Sequence, residues 1–389
     1  MTGTVLLTLG RLPKGLDLAR SFARAGGRVL VADPHRRHLV GASRSVARSF
    51  QVAPPAESPA RYLDDLAAII ARENVDLVLP VSEEILYVSA LHGRVDPRVR
   101  VFAMPQAELL ALHDKAGFVD VARAAGLNVP DSAIGGTPAS ASISTTGDVI
   151  VKPRHGCAGG GVRRFKAGAP IDAGPDDVVQ RFVPGAERSA CALAHEGVMQ
   201  GCAIYRGFVM SGTVAVAFER VDDPPILRWV EAFVAATRFT GFISFDFIVD
   251  DAGTPWGIEC NPRLTSGVHF MMTQDLAPAI MQSRQQVRLR PERRLQQFWA
   301  CLTETQGRFG QWPAFRRNLA NLFRTPDVTW SASDPWPLIG MPWTAWPIIS
   351  ASRARRVSFG EAASRDILWR EEGGAVASGS AWPSARSAA

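Results

Sequence analysis

The chain has 389 residues and a mass of 42.0 kDa, which is enough for two or three domains. Apolar residues make up 47% of it and charged residues 21%, so a disordered, collagen-like or coiled-coil chain is excluded. The net charge of +6 comes from 43 basic and 37 acidic residues. Only four of the basic residues are lysines: Lys14, Lys115, Lys152 and Lys166.

The sequence predicts neither an export signal nor a membrane span, and its cysteines predict no disulfide framework. It contains no apolar run of about 18 residues or more, and no basic segment followed by an apolar block at its start, so we expect a cytoplasmic protein. The five cysteines form no Cys-x-x-Cys pair, which argues against disulfides and zinc. We expect reduced, mostly buried thiols at Cys157, Cys191, Cys202, Cys260 and Cys301.

The first hundred residues alternate short apolar runs with amphipathic stretches. Strands are predicted over 5–9, 28–32, 75–80 and 99–102, and helices over 16–25, 62–72 and 83–91. This alternation predicts a parallel α/β sheet. Near Pro105 the pattern changes to two helices over 107–112 and 115–125, so a first domain is predicted to span 1–105.

The next region is mainly strand-like. Strands are predicted over 149–152, 178–182, 198–205, 208–218, 242–249 and 255–260, with a helix over 226–236. This composition predicts an α+β domain over 106–285.

The last region has a different composition. Residues 287–370 contain 13 arginines, no lysine and six acidic residues, a net charge of +7, together with seven of the ten tryptophans. We expect a C-terminal domain over 286–372. The Gly-, Ala- and Ser-rich residues 373–389 predict a disordered tail.

A lysine at the end of a predicted strand precedes a glycine-rich loop. Lys152 is followed by Gly156, Gly159, Gly160 and Gly161. Glycines let backbone N–H groups approach an anion closely, which suits the phosphates of a nucleotide. The loop is not a P-loop, because the lysine comes first, and a plain hairpin connection is the alternative. His155 and Cys157 in this loop are interpreted as loop residues rather than as a catalytic base and thiol.

Two later strands carry oxygen ligands. Asp246 lies in the first strand and Glu259 in the second, and Asn261 follows two residues later on the same face. Carboxylates and an amide without histidine or thiolate suit Mg²⁺ that bridges phosphate oxygens. Arg263 adds a planar donor fork for a phosphoryl group or a carboxylate. The alternative is a charged pair on a solvated strand edge.

These motifs, taken in order, resemble the ATP-grasp ligases, the superfamily of biotin carboxylase, carbamoyl phosphate synthetase large subunits and D-alanine:D-alanine ligases. The resemblance covers roughly residues 4–285. Residues 4–33 resemble the opening βαβ unit of a preATP-grasp domain, and residues 112–115 (LHDK) and 125–130 (AGLNVP) resemble its link to the ATP-grasp core. The implied fold is α/β and α+β: a preATP-grasp parallel sheet, an ATP-grasp core of two α+β subdomains, and a Trp- and Arg-rich C-terminal domain.

The resemblance implies a role for each motif residue. Lys115 and Lys152 would bind ATP phosphates under a lid formed by 156–161, and Glu187 would bind the ribose. The hinge against the adenine would be Gln180, Arg181, Phe182 and Val183. Mg²⁺, as two ions and with Mn²⁺ as an alternative, would be held by Asp246, Glu259 and Asn261. The sequence departs from many members in having Gln180 and Asp246 where those have glutamate.

The implied reaction is an ATP-dependent ligation. ATP converts a carboxylate into an acyl phosphate, and an amine displaces phosphate to give an amide and ADP. Arg263 and Lys152 would be the catalytic residues, because the protein mainly positions groups and neutralises charge. The expected partners are therefore a small carboxylate and a small amine.

The substrate site is predicted between the N-terminal sheet and the core. Glu83 and Glu84 follow the predicted strand 75–80, at the end of the sheet where ligands collect. Ser266 and His269 lie in the loop after Arg263. The alternatives are that both glutamates only begin a helix and that His269 is structural.

Three alternatives concern the rest of the chain. The C-terminal region is either a packed cap or a peripheral contact with an anionic membrane, and no nucleic-acid motif is recognised in it. Gly10 and Asp33 weakly resemble a dinucleotide fingerprint, which would make the chain an NAD(P)-dependent oxidoreductase. An ATP-grasp fold that only binds nucleotide is the non-enzymatic alternative, and a homodimer is the expected assembly.

Overall fold

A computed structural model describes residues 3–155, 161–212, 214–282, 284–357 and 359–370. The predicted tail over 373–389 lies outside these residues. None of the helices in the described ranges is long and apolar enough to cross a membrane.

The N-terminal part is a five-stranded parallel sheet with the strand order β3-β2-β1-β4-β5. The apolar runs form its buried strands, as predicted, and β3 is an additional edge strand whose residues are exposed except for the partly buried Phe50. Its elements are β1 (Thr4–Leu7), α1 (Lys14–Arg24), β2 (Arg28–Asp33), β3 (Arg48–Gln51), α2 (Pro59–Glu73), β4 (Leu77–Leu79), α3 (Ile85–Val88) and β5 (Arg100–Val101).

Two helices then lead into a small antiparallel sheet with the order β6-β9-β7-β8. Asp114 caps the second helix by accepting a hydrogen bond from the backbone N–H of Ala116. The elements are α4 (Gln106–His113), α5 (Lys115–Ala124), β6 (Ser132–Ile134), α6 (Pro138–Thr146), β7 (Val149–Pro153), β8 (Arg163–Phe165) and β9 (Asp177–Arg181).

The largest sheet has six strands in the order β14-β13-β10-β11-β12-β15 and is antiparallel. Its elements are β10 (Ala186–His195), β11 (Val198–Ser211), β12 (Val214–Arg220), α7 (Pro224–Thr237), β13 (Gly241–Val249), β14 (Pro255–Asn261), α8 (Thr273–Met281) and β15 (Arg294–Gln296).

The single strand predicted over 208–218 is wrong. It is divided between β11 and β12, because Gly212, with φ of 60°, begins a turn between them. β10 lies in the middle of this sheet and was not predicted.

The C-terminal part is helical and is joined to the large sheet through β15. Residues 336–355 form three short helices, each with one of the three prolines of this stretch in its first turn. The elements are α9 (Phe298–Gly307), α10 (Trp312–Arg324), α11 (Trp336–Ile339), α12 (Met341–Thr344), α13 (Trp346–Arg355) and α14 (Phe359–Ser364).

An aromatic cluster supports β13 from the side opposite Asp246. Phe245 and Phe247 point into the core, where they pack on Trp229 and Phe233 of α7 with ring centroids 4.9–5.2 Å apart. Because side chains alternate along a strand, Asp246 faces the other way. The burial of this cluster therefore fixes the direction of the carboxylate.

We predict that Phe233→Ala lowers the free energy of unfolding by about 3–5 kcal/mol, because it leaves a cavity under β13. Urea denaturation followed by circular dichroism measures this change. The matched control is Phe323→Ala, which removes a side chain that is 78% exposed and should change stability by less than about 0.5 kcal/mol. Equal losses in both variants would show that the cluster does not support the strand.

Candidate active site

Two carboxylates lie side by side on neighbouring strands. Asp246 of β13 and Glu259 of β14 are direct cross-strand partners, so their side chains share one face of the sheet. Ser189 of β10 is the partner of Asp246 on its other side and donates a hydrogen bond from Oγ to Oδ1 at 2.7 Å. Desolvation and the nearby charge of Glu259 raise the pKa of Asp246 to about 6. The pair is therefore a site that a cation would stabilise.

Both predicted phosphate lysines reach this carboxylate pair. Lys115 is the first residue of α5, and its Nζ lies 3.5 Å from Oε1 of Glu259. Lys152 extends from β7 and donates to the carbonyl oxygen of Ile258 at 2.7 Å. Burial lowers the pKa of Lys152 to about 8, although Glu259 opposes this effect. The N-terminus of α5 adds a positive dipole end beside Lys115, which suits phosphate.

Gln180 holds Lys152 through its side chain. Its Oε1 accepts a hydrogen bond from Lys152 Nζ at 3.0 Å, and its Nε2 donates to Ser132 Oγ at 2.9 Å. The resemblance assigned Gln180 only a hinge role at the backbone. A neutral amide orients the lysine without cancelling its positive charge, which explains why glutamine is compatible with phosphate binding at this position.

Arg263 connects the carboxylate pair to the N-terminal sheet. Its Nη2 donates to Asn261 Oδ1 at 3.1 Å and lies 2.7 Å from Oε1 of Glu83. Asn261 in turn donates from Nδ2 to Asp246 Oδ2 at 3.3 Å. Of the predicted substrate residues, Glu83 is thus brought directly to the predicted catalytic arginine.

Glu84 is fully buried beside this connection. Its Oε1 accepts hydrogen bonds from Thr8 Oγ1 at 3.0 Å and from the backbone N–H of Val81 at 2.6 Å. Its Oε2 has no hydrogen-bond partner in the described structure. Burial raises the pKa of Glu84, whereas Arg263 and His113 outweigh burial at Glu83 and lower its pKa.

Lys14 is a residue that the sequence analysis did not assign to the site. Its Nζ donates to Ser82 Oγ at 3.0 Å and to the carbonyl oxygen of Leu264 at 2.7 Å, so it ties the loop after Arg263 to the N-terminal sheet. Burial, followed by the charge of Arg263, lowers the pKa of Lys14 to about 7. Its place beyond the carboxyl end of β1 was the available signal, since ligands collect at that end of parallel strands.

Three further predicted residues lie in different surroundings. His269 Nδ1 lies 2.6 Å from Asp17 Oδ2, and Arg290 Nη2 lies 2.8 Å from Oδ1 of the same aspartate, so His269 belongs to a buried polar network around Asp17. Ser266 is partly buried at the start of the short 3-10 helix Ser266–Phe270. Glu187 is exposed at the start of β10.

The predicted hinge lines a cleft. Arg181, Phe182 and Val183 face Asp250, Asp251 and Trp256 across a volume of about 460 Å³, within the range of small-molecule pockets.

Of the predicted lid over 156–161, only Gly161 is among the described residues. Gly156, Gly159, Gly160 and Cys157 lie outside the described residues, whereas Gly161 has φ of 76°. His155 stacks on His113 with ring centroids 6.1 Å apart.

In the loop that resembles a dinucleotide-binding fingerprint, the carboxylate of Asp33 is already hydrogen-bonded within the protein. The carboxylate of Asp33 accepts hydrogen bonds from the backbone N–H groups of Gly10, Arg11 and His35, and from the guanidinium of Arg11. These contacts occupy both oxygens that a ribose would need. The structure therefore disfavours the oxidoreductase interpretation.

The donor set fits Mg²⁺ that shares its ligands with phosphate. It consists of two carboxylates and an amide, and no group of three or more His, Cys, Asp or Glu side chains at metal-binding distance occurs in the described parts of the chain. Mg²⁺ is commonly held by one or two carboxylates together with phosphate oxygens and water. Asp246 and Glu259, with Asn261 beside them, would therefore fit Mg²⁺ that is also bound by a nucleotide.

Comparison with known proteins supports the resemblance to an ATP-grasp domain. Residues 112–267 match a family model described as an ATP-grasp domain. No curated protein matches the sequence. The match confirms the predicted ATP-grasp domain over these residues.

Solved structures share the fold at low sequence identity. N5-carboxyaminoimidazole synthetase from Staphylococcus aureus is 15% identical, with a TM-score of 0.56 over 74% of this chain and 80% of that one. L-amino acid ligase from Bacillus licheniformis is 16% identical, with a TM-score of 0.54 over 72% and 74%. A biotin carboxylase domain dimer from Hydrogenobacter thermophilus, in complex with MgADP and bicarbonate, is 11% identical, with a TM-score of 0.55 over 70% and 67%. The predicted fold class is confirmed.

We predict that Asp246→Asn stabilises the chain without ligands at pH 7. The raised pKa of Asp246 means that the folded chain binds this proton more tightly than the unfolded chain. Its contribution is complete below about pH 4 and is lost as the pH rises through about 6. The variant, which has no such loss, should gain on the order of 2 kcal/mol at pH 7 and little at pH 4.

Urea denaturation at both pH values, with and without MgADP, measures this. MgADP should stabilise the natural chain more than the variant, because the variant lacks one charged ligand. A gain that is independent of pH, or equal stabilisation of both proteins by MgADP, would contradict the assignment of Asp246.

Proposed function

We propose that this chain, whose residues 112–267 form an ATP-grasp domain, uses ATP to activate a carboxylate as an acyl phosphate and joins it to an amine. The main observation behind this proposal is that Lys115 and Lys152 lie beside the Asp246–Glu259 pair. Arg263 follows shortly after the strand that carries Glu259. These groups suit the transfer of a charged phosphoryl group, because they combine fixed cations with oxygen ligands for a metal. The products are an amide, ADP and phosphate.

Each residue has a defined task in this proposal. Mg²⁺ bound between the carboxylates and the phosphates would polarise the transferring phosphoryl group. Lys152, oriented by Gln180, and Lys115 hold the phosphate oxygens. The guanidinium of Arg263 binds the acyl phosphate and stabilises its charge. The amine then attacks the carbonyl carbon, the bond to the phosphate oxygen breaks, and the amine loses one proton.

The acceptor is proposed to bind where the loop after Arg263 meets the N-terminal sheet. Arg263 and Glu83 supply opposite charges there, and Lys14 and Glu84 are an amine and a carboxyl group within the same buried cluster. The cations suit the carboxylate of a substrate and the acids suit its amine. Ser266 remains a proposed contact at the edge of the loop, whereas His269 is structural in this proposal.

Further parts of the proposal concern ions, assembly and location. Two Mg²⁺ ions, or Mn²⁺ in their place, would act with the nucleotide. The hinge 180–183 would hold the adenine, and Glu187 would contact the ribose. The chain would work in the cytoplasm as a homodimer on small carboxylate and amine substrates, without nucleic acid and with peripheral membrane contact through its C-terminal part.

We predict Mg²⁺-dependent ADP release that requires a carboxylic acid and yields a hydroxamate when hydroxylamine replaces the amine. Lys152→Met and Glu259→Gln should each lower the rate by about 100-fold or more, because they remove transition-state charge stabilisation. The measurement is coupled detection of ADP together with colorimetric detection of the hydroxamate, over a panel of acids, amino acids and bicarbonate.

The matched control for the lysine is Lys166→Met. The side chain of Lys166 is 80% exposed, and its Nζ lies 2.9 Å from Oδ2 of Asp148. Because it pairs with this surface aspartate and not with Asp246 or Glu259, the variant should keep full activity. Tight ATP binding with neither ADP nor hydroxamate from any acid would instead assign the chain as a nucleotide-binding module.

We predict that Lys14→Met and Glu84→Gln raise KM for the acid or the amine by about tenfold, with KM for ATP nearly unchanged. Both residues contact the acceptor side of the site rather than the phosphate lysines. Steady-state kinetics with each substrate varied in turn separates the two effects. A rise in KM for ATP alone would place these residues on the nucleotide side and contradict the proposal.

A further inference from the structure

The C-terminal helices expose many large aromatic side chains. Globular proteins rarely leave such side chains exposed in groups unless they bind something. We call the following residues, with the arginines between them, the aromatic–arginine surface: Phe309, Trp312, Phe323, Trp330, Trp336, Trp343, Trp346 and Phe359, which are 47–78% exposed.

Helix α10 shows how this surface is built. Its inner face packs through Leu322 against Cys301 of α9 and Val216 of β12. The residues at 312, 313, 316, 317, 320, 323 and 324 are exposed, and their spacing of three and four residues from turn to turn places them in one stripe. This stripe has Trp312 at one end, Phe323 at the other, and arginines at 316, 317 and 324. The exposed stripe is therefore apolar and basic.

The positive charge of this region is not neutralised from within. Residues 305–360 contain seven arginines, no lysine and two aspartates. All seven arginines are exposed, and none of them has a salt bridge in the described structure: Arg308, Arg316, Arg317, Arg324, Arg353, Arg355 and Arg356. Asp327 instead accepts from the backbone N–H groups of Phe298, Thr329 and Trp330, and Asp334 accepts from Ser43, Arg20 and Arg44.

The short helices add tryptophans at their exposed first turns. Helices α11 and α13 begin with Trp336 and Trp346, each followed by proline. The guanidinium of Arg353 lies 6.0 Å from the ring centroid of Trp346. An arginine beside a tryptophan suits a headgroup boundary, where the ring is partly apolar and the cation meets phosphate.

We propose that the aromatic–arginine surface docks the protein on an anionic phospholipid bilayer. Tryptophan and phenylalanine would enter the boundary between headgroups and acyl chains, and the arginines would pair with lipid phosphates. A second copy of the chain is disfavoured as the occupant, because the same surface would bring two sets of uncompensated arginines together. The helices lie on the bilayer without crossing it, since none of the described helices is long enough.

The test is co-sedimentation of the full chain with vesicles. Vesicles of equal parts phosphatidylglycerol and phosphatidylcholine should bind it, and vesicles of phosphatidylcholine alone should bind it at least about tenfold more weakly. Raising the salt from about 0.1 M to about 0.5 M should weaken binding to the anionic vesicles, because it screens the arginines.

Two variants separate the apolar from the charged part. Arg316→Glu with Arg317→Glu should weaken binding by about tenfold or more and remove most of its salt dependence, since each basic residue contributes about fivefold at an anionic surface. Trp312→Ala with Phe323→Ala should weaken binding at both salt concentrations. The matched control is Arg61→Glu with Arg94→Glu, which changes the net charge equally at exposed sites in the N-terminal part and should leave vesicle binding intact.

Three results would overturn the proposal. One is equal binding to both kinds of vesicle, or to neither. Another is a dimer, detected by sedimentation velocity, that the Trp312→Ala and Phe323→Ala changes dissociate, which would assign the surface to a second copy. The third is binding to a duplex DNA oligonucleotide that is as tight as binding to the anionic vesicles. Acid-dependent ADP release, measured without vesicles in the same variants, keeps the ligase proposal separate from this outcome.

Discussion

The register between β13 and β14 is the constraint on which the site depends. It sets Asp246 opposite Glu259, and a slip by one residue would turn one carboxylate toward the aromatic core. The next pair joins Phe247 to Gly257, so Ile258 is an extra residue in β14 with no partner in β13. Its carbonyl oxygen accepts the hydrogen bond from Lys152. The bulge thus lies directly beside the aligned carboxylates and supplies the carbonyl oxygen that anchors Lys152.

Asp246 in this pair of strands and Lys152 beside it both lie in environments that disfavour their charged forms. Burial raises the pKa of Asp246 and lowers that of Lys152, so each charged form is held at a cost in the chain without ligands. A metal ion beside the carboxylates and a phosphate beside the lysine would reverse both effects. The same residues that lower stability are therefore the ones that would gain most from binding, which is the expected behaviour of a preorganised site.

The sequence allowed the carboxylates and the lysine of the cluster to be predicted better than its contacts with the N-terminal sheet. Lys152, Asp246, Glu259 and Arg263 lie in short strand motifs whose alternation can be read directly. The contact between Arg263 and Glu83 joins residues from two separate sheets, and no local pattern reports it. Strand β10 was missed because its alanines and its cysteine have little strand preference, so pairing with β11 and β13 decides its structure.

The loop that resembles a dinucleotide fingerprint has a structural use that connects both ends of the chain. Arg11 lies fully buried between Asp33, at 3.0 Å, and Asp366, at 2.7 Å. A buried arginine needs both partners, because either carboxylate alone would leave part of the guanidinium unpaired away from water. The segment after α14 is thereby fixed to the N-terminal sheet, and Trp369 packs on Tyr87 at 4.8 Å. The C-terminal helices are consequently attached at both ends, through β15 to the six-stranded sheet and through Asp366 to the N-terminal part. Their exposed aromatic side chains therefore lie on a segment that is fixed to the rest of the protein.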